Sequence, residues 1–416
     1  MPDFDLIVIG GGAAGFYGAI HVAEFNPQMR ILILEKSNRV LSKVRVSGGG
    51  RCNVTQHCFD PVALSKHYPR GMKSLRSVFK DYHAKHTVDW FSAKGVQLKA
   101  ESDGRMFPIT DDSQTIIQCF LSEAQNRGIA VETGSGVVGI TRHDTYFDVR
   151  TQSEKKYTAS KILVATGGSP KPDAYSIIAE MRHTINRPIP SLFTFNDPDR
   201  KFADLMGISV DNALIKIAGT DFTQSGPVLI THWGLSGPAV IRLSAWAAEY
   251  LHKVNYKFTC LVSWIGSASE QTLGSELVQR KMTAGKQKVY NHPLFGLPQR
   301  LWTRLCILAE IPAEKIWAEM SQRQINKLME NLMRCTFYIS GKTTFKEEFV
   351  TCGGVDLGEI NLQSMESRKV QGLFFAGEVL NIDGETGGYN FQNAWSTAFI
   401  AARSIASQAP VRKSQF

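Results

Sequence analysis

Short unbroken apolar runs mark both ends of the chain, with alternating and helical patterns between them. Phe4–Ile9, apolar except for Asp5, and Ile31–Leu34 show no helical period, as strands buried on both faces do. The alanine-rich stretch between them, running to Phe25, predicts a helix. Helical patterning returns at about 73–94 and 112–127, and strands over 129–131, 137–142 and 146–151 predict a small antiparallel layer. Lys161–Val164 brings the chain back to the main sheet, and the proline-rich stretch 187–199 predicts a domain change. Strands at 208–217 and 258–264 follow, with Thr231–Pro238 as a turn into a helix that takes Pro238 near its first position. Residues 268–333 read as mostly helical. The sheet then resumes with Phe349–Val355 and Gly372–Glu378 before a closing helix to about Ser404.

Glycines give the opening unit its chemistry. Gly10-Gly11-Gly12-Ala13-Ala14-Gly15 follows the first strand directly and opens the helix, the context in which G-x-G-x-x-G holds a dinucleotide. Gly10 permits a tight turn, Gly12 lets backbone approach a pyrophosphate, and Gly15 lets the helix pack on the sheet. The helix start supplies partly positive N–H groups. Glu35 lies about twenty residues past the last glycine, where an acid accepts ribose hydroxyls. The same spacing recurs at Gly134-Ser135-Gly136-Val137-Val138-Gly139, but an alternating strand follows it. A hairpin turn is predicted there, and no phosphate site.

Three further glycine stretches extend the pattern. Ser47-Gly48-Gly49-Gly50-Arg51-Cys52-Asn53 makes a poor strand or helix and a good bare-backbone surface for a flat or phosphorylated ligand; a mobile loop is the alternative. Arg51 is suited to a phosphate or an anionic ring. Ala165-Thr166-Gly167-Gly168 ends the returning strand, where backbone turns beneath the nucleotide in FAD-binding folds. Near the C-terminal end, Gly377-Glu378 closes another apolar strand, and Gly387-Gly388-Tyr389-Asn390-Phe391-Gln392 opens the last helix. Asp383 is placed to accept from ribityl hydroxyls, and the helix start to offer N–H groups to a flavin C2 carbonyl. A nicotinamide-binding unit is contiguous and needs no second piece. A nucleotide site divided between the two ends of the chain points to FAD.

The 416 residues predict two or three domains, and 43% hydrophobic with 20% charged residues is ample for a core. No apolar run approaches the roughly twenty residues of a membrane span. Asp3 and Asp5 beside the first apolar run argue against a secretory signal, so a cytoplasmic protein is expected. The seven cysteines are scattered, without a C-x-x-C pair, and read as reduced thiols. The formal charge of +9 is local. Lys66, Arg70, Lys73, Arg76, Lys80 and Lys85 face a single acid, Asp81, in one segment. Arg280, Lys281, Lys286, Lys288, Arg300 and Arg304 lie in a second with none, interleaved with Tyr290, Phe295 and Trp302. Either segment alone reads as a solvated helical face; together they favour a polyanionic partner, RNA above all.

With SGGGRCN at 47–53, GRMFP at 104–108, ATGG at 165–168, THWGLSGP at 231–238, TCGGV at 351–355 and the stretches Ile9–Gly15 and Phe375–Gln392 in view, the chain resembles the BaiN/RdsA family of FAD-dependent oxidoreductases, also described as YhiN-like flavoproteins. The likeness covers nearly the whole chain. It departs at Asn381, where family members often carry Asp, and at Leu41-Ser42-Lys43 before the glycine loop. It implies an α/β fold: an FAD-binding Rossmann-like domain of glutathione-reductase type (1–190 and 346–416), interrupted by a β-rich domain (191–267 and 334–345) that carries a helical insert (268–333). Lys36, Lys43, Val137 and Val138 join the expected FAD contacts. The implied activity is reduction of an activated C=C bond. One branch resembles dihydrouridine synthases acting on large-subunit ribosomal RNA; another reduces double bonds of oxo-bile acids.

Both reactions pass hydride from NAD(P)H through FAD to the β-carbon of an enone-like system, and a proton from an acid to the α-carbon. Cys52 is the first candidate for that acid, with His232 and Tyr389 as alternatives. A thiol-redox reading pairs Cys52 with Cys58, but five residues separate them where flavin disulfide reductases have four. A reading from another class makes FAD structural and the protein an RNA-binding or ribosome-assembly factor. No second nucleotide fold is visible, so NAD(P)H is expected to dock where substrate later sits, giving ping-pong kinetics. A steroid would ask for an apolar pocket and no basic surface; the clustered charge favours RNA through 66–85 and 280–304.

Overall fold

A computed structural model describes residues 2–343 and 350–408, in two compact units, Met1–Ser191 with Lys346–Phe416 and Leu192–Phe345. Phe349, where the strand into Val355 is expected to start, and the expected 345/346 boundary lie outside the described residues.

The first unit is built on five parallel strands: β1 (Phe4–Ile9), β2 (Ile31–Leu34), β3 (Ala130–Glu132), β4 (Lys156–Val164) and β5 (Leu373–Phe375). Their order is β5-β4-β1-β2-β3. Leu6–Val8 and Ile31–Leu34 are buried without a break, which is why the runs are continuous rather than alternating. Helix α1 (Ala13–Phe25) joins β1 to β2, and helix α2 (Tyr389–Ser407) closes the unit. The two helices pack closely: a Cβ on Gly18 would stand 2.7 Å from Leu163 of β4 and 3.6 Å from Ala398 of α2. Small residues at the crossing let two helices and a strand share one contact.

Four expectations change. The run at 129–131 joins the main sheet as β3, paired in parallel with β2, and only Val137–Arg142, Phe147–Thr151 and the first half of β4 form the antiparallel layer. The second glycine stretch therefore links strands that do not pair with each other, so it is no hairpin turn, although a strand does follow it. The helix expected over 73–94 is two, Met72–Asp81 and Ala84–Ala93, because Tyr82 is extended and His83 caps the second by accepting from the Lys85 N–H. Val350–Val355 leaves the main sheet and pairs antiparallel with Ile185–Ser191.

The second unit is a seven-stranded sheet with its own core, in which Trp264, Trp302 and Trp317 are fully buried. Helices Glu270–Thr283, Gln299–Leu308 and Gln322–Met333 lie in the stretch read as helical. Thr223–Thr231 and Gly234–Ser236 pair as a hairpin across His232-Trp233, so a short strand stands between that turn and the helix Pro238–Trp246. No described helix is long and apolar enough to cross a membrane.

Candidate active site

The turn after β1 admits no side chain. Gly10 has φ 110°, a Cβ there would collide with the Ala165 carbonyl at the end of β4, and a Cβ on Gly15 would collide with the Gly10 carbonyl. At Gly12, by contrast, nothing lies within 4 Å of where a Cβ would point. Bare backbone thus faces open space at the start of α1, which begins with Ala13 and Ala14. Glu35 is fixed beside this turn: Oε2 accepts from the Gly11 N–H and Oε1 from the Ser37 N–H and Oγ–H, each at 2.8 Å. Gly136 passes close enough to Lys36 that a Cβ would stand 3.0 Å from the Lys36 Cβ. That contact brings Val137 and the 43% exposed Val138 to the same edge as Glu35.

The C-terminal segment reaches the same place. Gly377 follows β5 with φ 80°, and a Cβ there would stand 2.9 Å from the Ala14 Cβ. Lys43 pairs with Glu378 at 2.6 Å, and the other Glu378 oxygen accepts from the Thr351 N–H at 2.9 Å. A Cβ on Gly168, just past Ala165, Thr166 and Gly167, would stand 2.6 Å from Glu378. Helix α2 starts after Gly387 and Gly388, both with positive φ, and a Cβ on Gly388 would stand 2.6 Å from the Thr55 carbonyl. The glycine loop is tied to this start. Trp395 Nε1–H donates to the Val54 carbonyl at 2.8 Å, and Thr55 Oγ–H to Gln392 at 2.6 Å. With its amide oriented to satisfy both neighbours, Asn53 accepts from the Gly388 N–H at 3.0 Å and donates to the Thr55 carbonyl at 3.1 Å. Asn390 clamps the preceding turn, accepting from the Gly384 N–H and donating to its carbonyl, and Phe391 stacks on Trp395.

Ser47 and Gly48 are packed, but Gly49, Gly50 and Gly167 have nothing within 4 Å of a would-be Cβ. Open backbone at Gly12, Gly49, Gly50 and Gly167, an acid at the end of β2 and two helix starts fit FAD. These residues would hold the pyrophosphate at the start of α1, the ribose at Glu35, and the ring beside the glycine loop and the start of α2.

Three predicted residues sit elsewhere in the chemistry. Cys52, at φ 61°, has no exposed surface, and burial pushes its thiol up to about 12 against a hydrogen bond from Ser47. A side chain with no open surface cannot hand a proton to a substrate. Arg51 lies 3.9 Å over the Phe107 ring and pairs with Glu101 at 2.6 Å and Asp111 at 3.6 Å, so its charge is balanced by protein acids. Asp383 is 0% exposed: Arg70 grips both oxygens and Ser191 Oγ–H donates at 2.8 Å, so the carboxylate is engaged by protein donors and has no open surface for a ribityl hydroxyl. Burial pushes the Asp383 carboxyl up, and Arg70 and Ser191 pull it back. Cys52 and Cys58 are both free thiols. His232 belongs to the second unit, its ring edge-on to Trp233 at 4.2 Å.

A pair that spacing did not reveal stands at the start of α2. His67 Nδ1 is 2.9 Å from Glu385 Oε2, and the His67 ring stacks on Tyr389 at 4.5 Å with 15° between planes. The Glu385 N–H donates to the His67 carbonyl at 2.9 Å, and Tyr68 O–H to the Tyr389 carbonyl at 2.6 Å. The two basic segments also diverge. Lys66, Lys73, Arg76 and Lys80 are exposed with no ion-pair partner among the described residues, while Arg70 serves Asp383 and Lys85 pairs with Asp89. In the second segment Arg304 and Lys288 pair with Asp204 and Glu314, Arg300 and Lys281 donate to the Asp204 and Met320 carbonyls, and Arg280 donates to Gln287. Trp302 and Tyr290 point into the core rather than to a ligand.

Comparison with known proteins gives this geometry a family. The HI0933-like protein Rossmann domain matches residues 4–404. A ribosomal RNA dihydrouridine synthase of Escherichia coli (strain K12) is 28% identical over 97% of this chain and 98% of its own. A 3-dehydro-bile acid delta(4,6)-reductase of Clostridium scindens is 25% identical over 96% of this chain and 98% of its own. Among solved structures, a 3-ketosteroid-delta4-(5alpha)-dehydrogenase from Rhodococcus jostii RHA1 superposes with a TM-score of 0.54 at 12% identity, covering 98% of both chains, a likeness of fold. The match spans nearly every described residue and includes both halves of the nucleotide site: the chain belongs to the HI0933-like family and is an FAD-dependent oxidoreductase.

Proposed function

We propose that the enzyme reduces an activated C=C bond at the expense of NAD(P)H, and that its substrate is uridine in large-subunit ribosomal RNA. The observation that carries the RNA reading is the basic face formed by Lys73, Arg76 and Lys80 on the helix Met72–Asp81, with Lys66 beside His67, none of them ion-paired among the described residues. Positions 73, 76 and 80 share one helix face, and charges left without protein partners are those a phosphate backbone recruits. The relatives named as ribosomal RNA dihydrouridine synthases support the reading.

Bound FAD supplies the hydride. The chain's own residues do the rest. Backbone at Gly12 and the start of α1 hold the pyrophosphate, and Glu35, with Lys36, Val137 and Val138 along the same edge, holds the adenosine half. Gly49 and Gly50 would offer flat backbone to the ring, and the start of α2 would present first-turn N–H groups, which favour negative charge, beside it. The Lys43–Glu378 pair and the Asn390 clamp fix the turns that carry these groups. NAD(P)H and substrate take turns at the open face, which gives ping-pong kinetics.

The test is genetic. In a strain lacking its own enzyme for the modification, this chain restores dihydrouridine at a discrete position of large-subunit ribosomal RNA. An unchanged modification map, together with reduction of a 3-oxo-4-ene steroid by the purified enzyme, replaces RNA with the small enone that the bile-acid reductase relative suggests.

A further inference from the structure

We infer that His67, oriented by Glu385, is the group that protonates the α-carbon of the substrate, an inference that rests on the reductase reading above. The reaction needs a side chain with an acidic hydrogen at an accessible atom, beside the start of α2. Cys52 is sealed in the core. Tyr389 is 5% exposed, its ring covered by the face of His67. His67 alone among these keeps an open edge: its side chain is 39% exposed, and Nε2 has no partner among the described residues.

Glu385 makes the imidazole suitable for the task. Its side chain is 9% exposed, so the carboxylate accepts from His67 Nδ1–H in a poorly solvated place. That bond fixes which nitrogen points outward, so that the protonated ring presents Nε2–H as the transferable proton. The ring cannot swing: Tyr389 covers one face, and the Glu385 N–H ties the His67 carbonyl to the same turn. Lys66 is exposed on the neighbouring residue, where a substrate phosphate can lie while its base reaches His67. A uracil presented to a parallel His–Tyr pair must be unstacked from its neighbours, as single-stranded or extruded bases are.

Hydride brings two electrons to the β-carbon (uracil C6), the π pair shifts toward the α-carbon (C5) and its carbonyl, and C5 takes the proton from Nε2. Neutral His67 regains a proton from solvent, so each double bond reduced consumes one NAD(P)H and one proton.

The experiment uses FAD-loaded full-length enzyme. His67→Gln keeps its FAD and visible spectrum and is still bleached by NAD(P)H, but reoxidation of the bleached form by ribosomal RNA slows by at least about 100-fold. Glu385→Gln gives the same signature in weaker form, and free imidazole restores turnover to His67→Ala. Independently of turnover, diethyl pyrocarbonate modifies His67 in the free protein, as mapped by peptide mass, and bound RNA blocks it. Reoxidation of His67→Gln at the wild-type rate, or modification of His67 untouched by RNA, overturns the assignment while leaving the reductase reading in place. A wild-type enzyme that neither RNA nor a 3-oxo-4-ene steroid reoxidises overturns both.

Discussion

Gly377 and Ala14 come from opposite ends of the chain, yet a Cβ on Gly377 would stand 2.9 Å from the Ala14 Cβ. The turn after β5 therefore closes against the first turn of α1, which brings both ends of the chain to the candidate nucleotide site. Gly377 also sits at φ 80°, where a side chain strains the backbone whatever the space. Gly377→Val combines strain with overpacking and is expected to cost about 2–3 kcal/mol. It also lowers the FAD-to-protein ratio, measured by absorbance after gel filtration.

Arg70 and Asp383 form a second tie between distant segments. Their side chains are 12% and 0% exposed, so removing the cation strands a buried carboxylate. Arg70→Met is expected to destabilise by on the order of 3 kcal/mol, and Asp383→Asn added to it to recover a large part. Denaturant unfolding of the single and double variants checks the pattern; equal losses in both contradict it.

The basic face of the helix Met72–Asp81 predicts a salt signature. Lys73→Glu, Arg76→Glu and Lys80→Glu each weaken RNA binding and lower the slope of log affinity against log salt by about one phosphate contact, roughly 0.7–0.9. Arg304→Glu, which breaks a pair with Asp204, is expected to act on thermal stability instead. Fluorescence anisotropy at several salt concentrations separates the two.

Burial of His21 on α1 adds a pH-dependent contribution to stability. Loss of solvation pulls the imidazole down to about 4, against about 6.5 in the unfolded chain. The folded state therefore binds fewer protons between those values, so stability is full above pH 6.5 and declines as pH falls toward 4, by about 3 kcal/mol in all. His21→Leu flattens this stretch of the stability–pH curve measured by urea unfolding.

Much of the nucleotide site is legible because its chemistry is local. Gly10, Gly12 and Gly15 are read from one turn, where each spacing demands bare backbone, and Glu35 from its place at the end of β2. His67 and Glu385 are hidden for the opposite reason. The two residues are 318 positions apart, neither belongs to a spacing motif, and only the fold makes them neighbours. Charge misleads in the same way: the stretch 277–309 holds no acid, but Asp204 and Glu314 reach in from outside it to pair with Arg304 and Lys288. Cys52 reads as reactive beside Arg51 in a glycine loop. Its positive φ turns the side chain into the core instead, which no composition discloses.

The most direct test of the account is an anaerobic single turnover: the purified FAD enzyme, bleached by one equivalent of NAD(P)H and freed of nicotinamide, is mixed with unmodified large-subunit ribosomal RNA. The yellow oxidised spectrum is expected to return as one dihydrouridine forms per FAD. Flavin that stays bleached while every uridine stays intact contradicts the account.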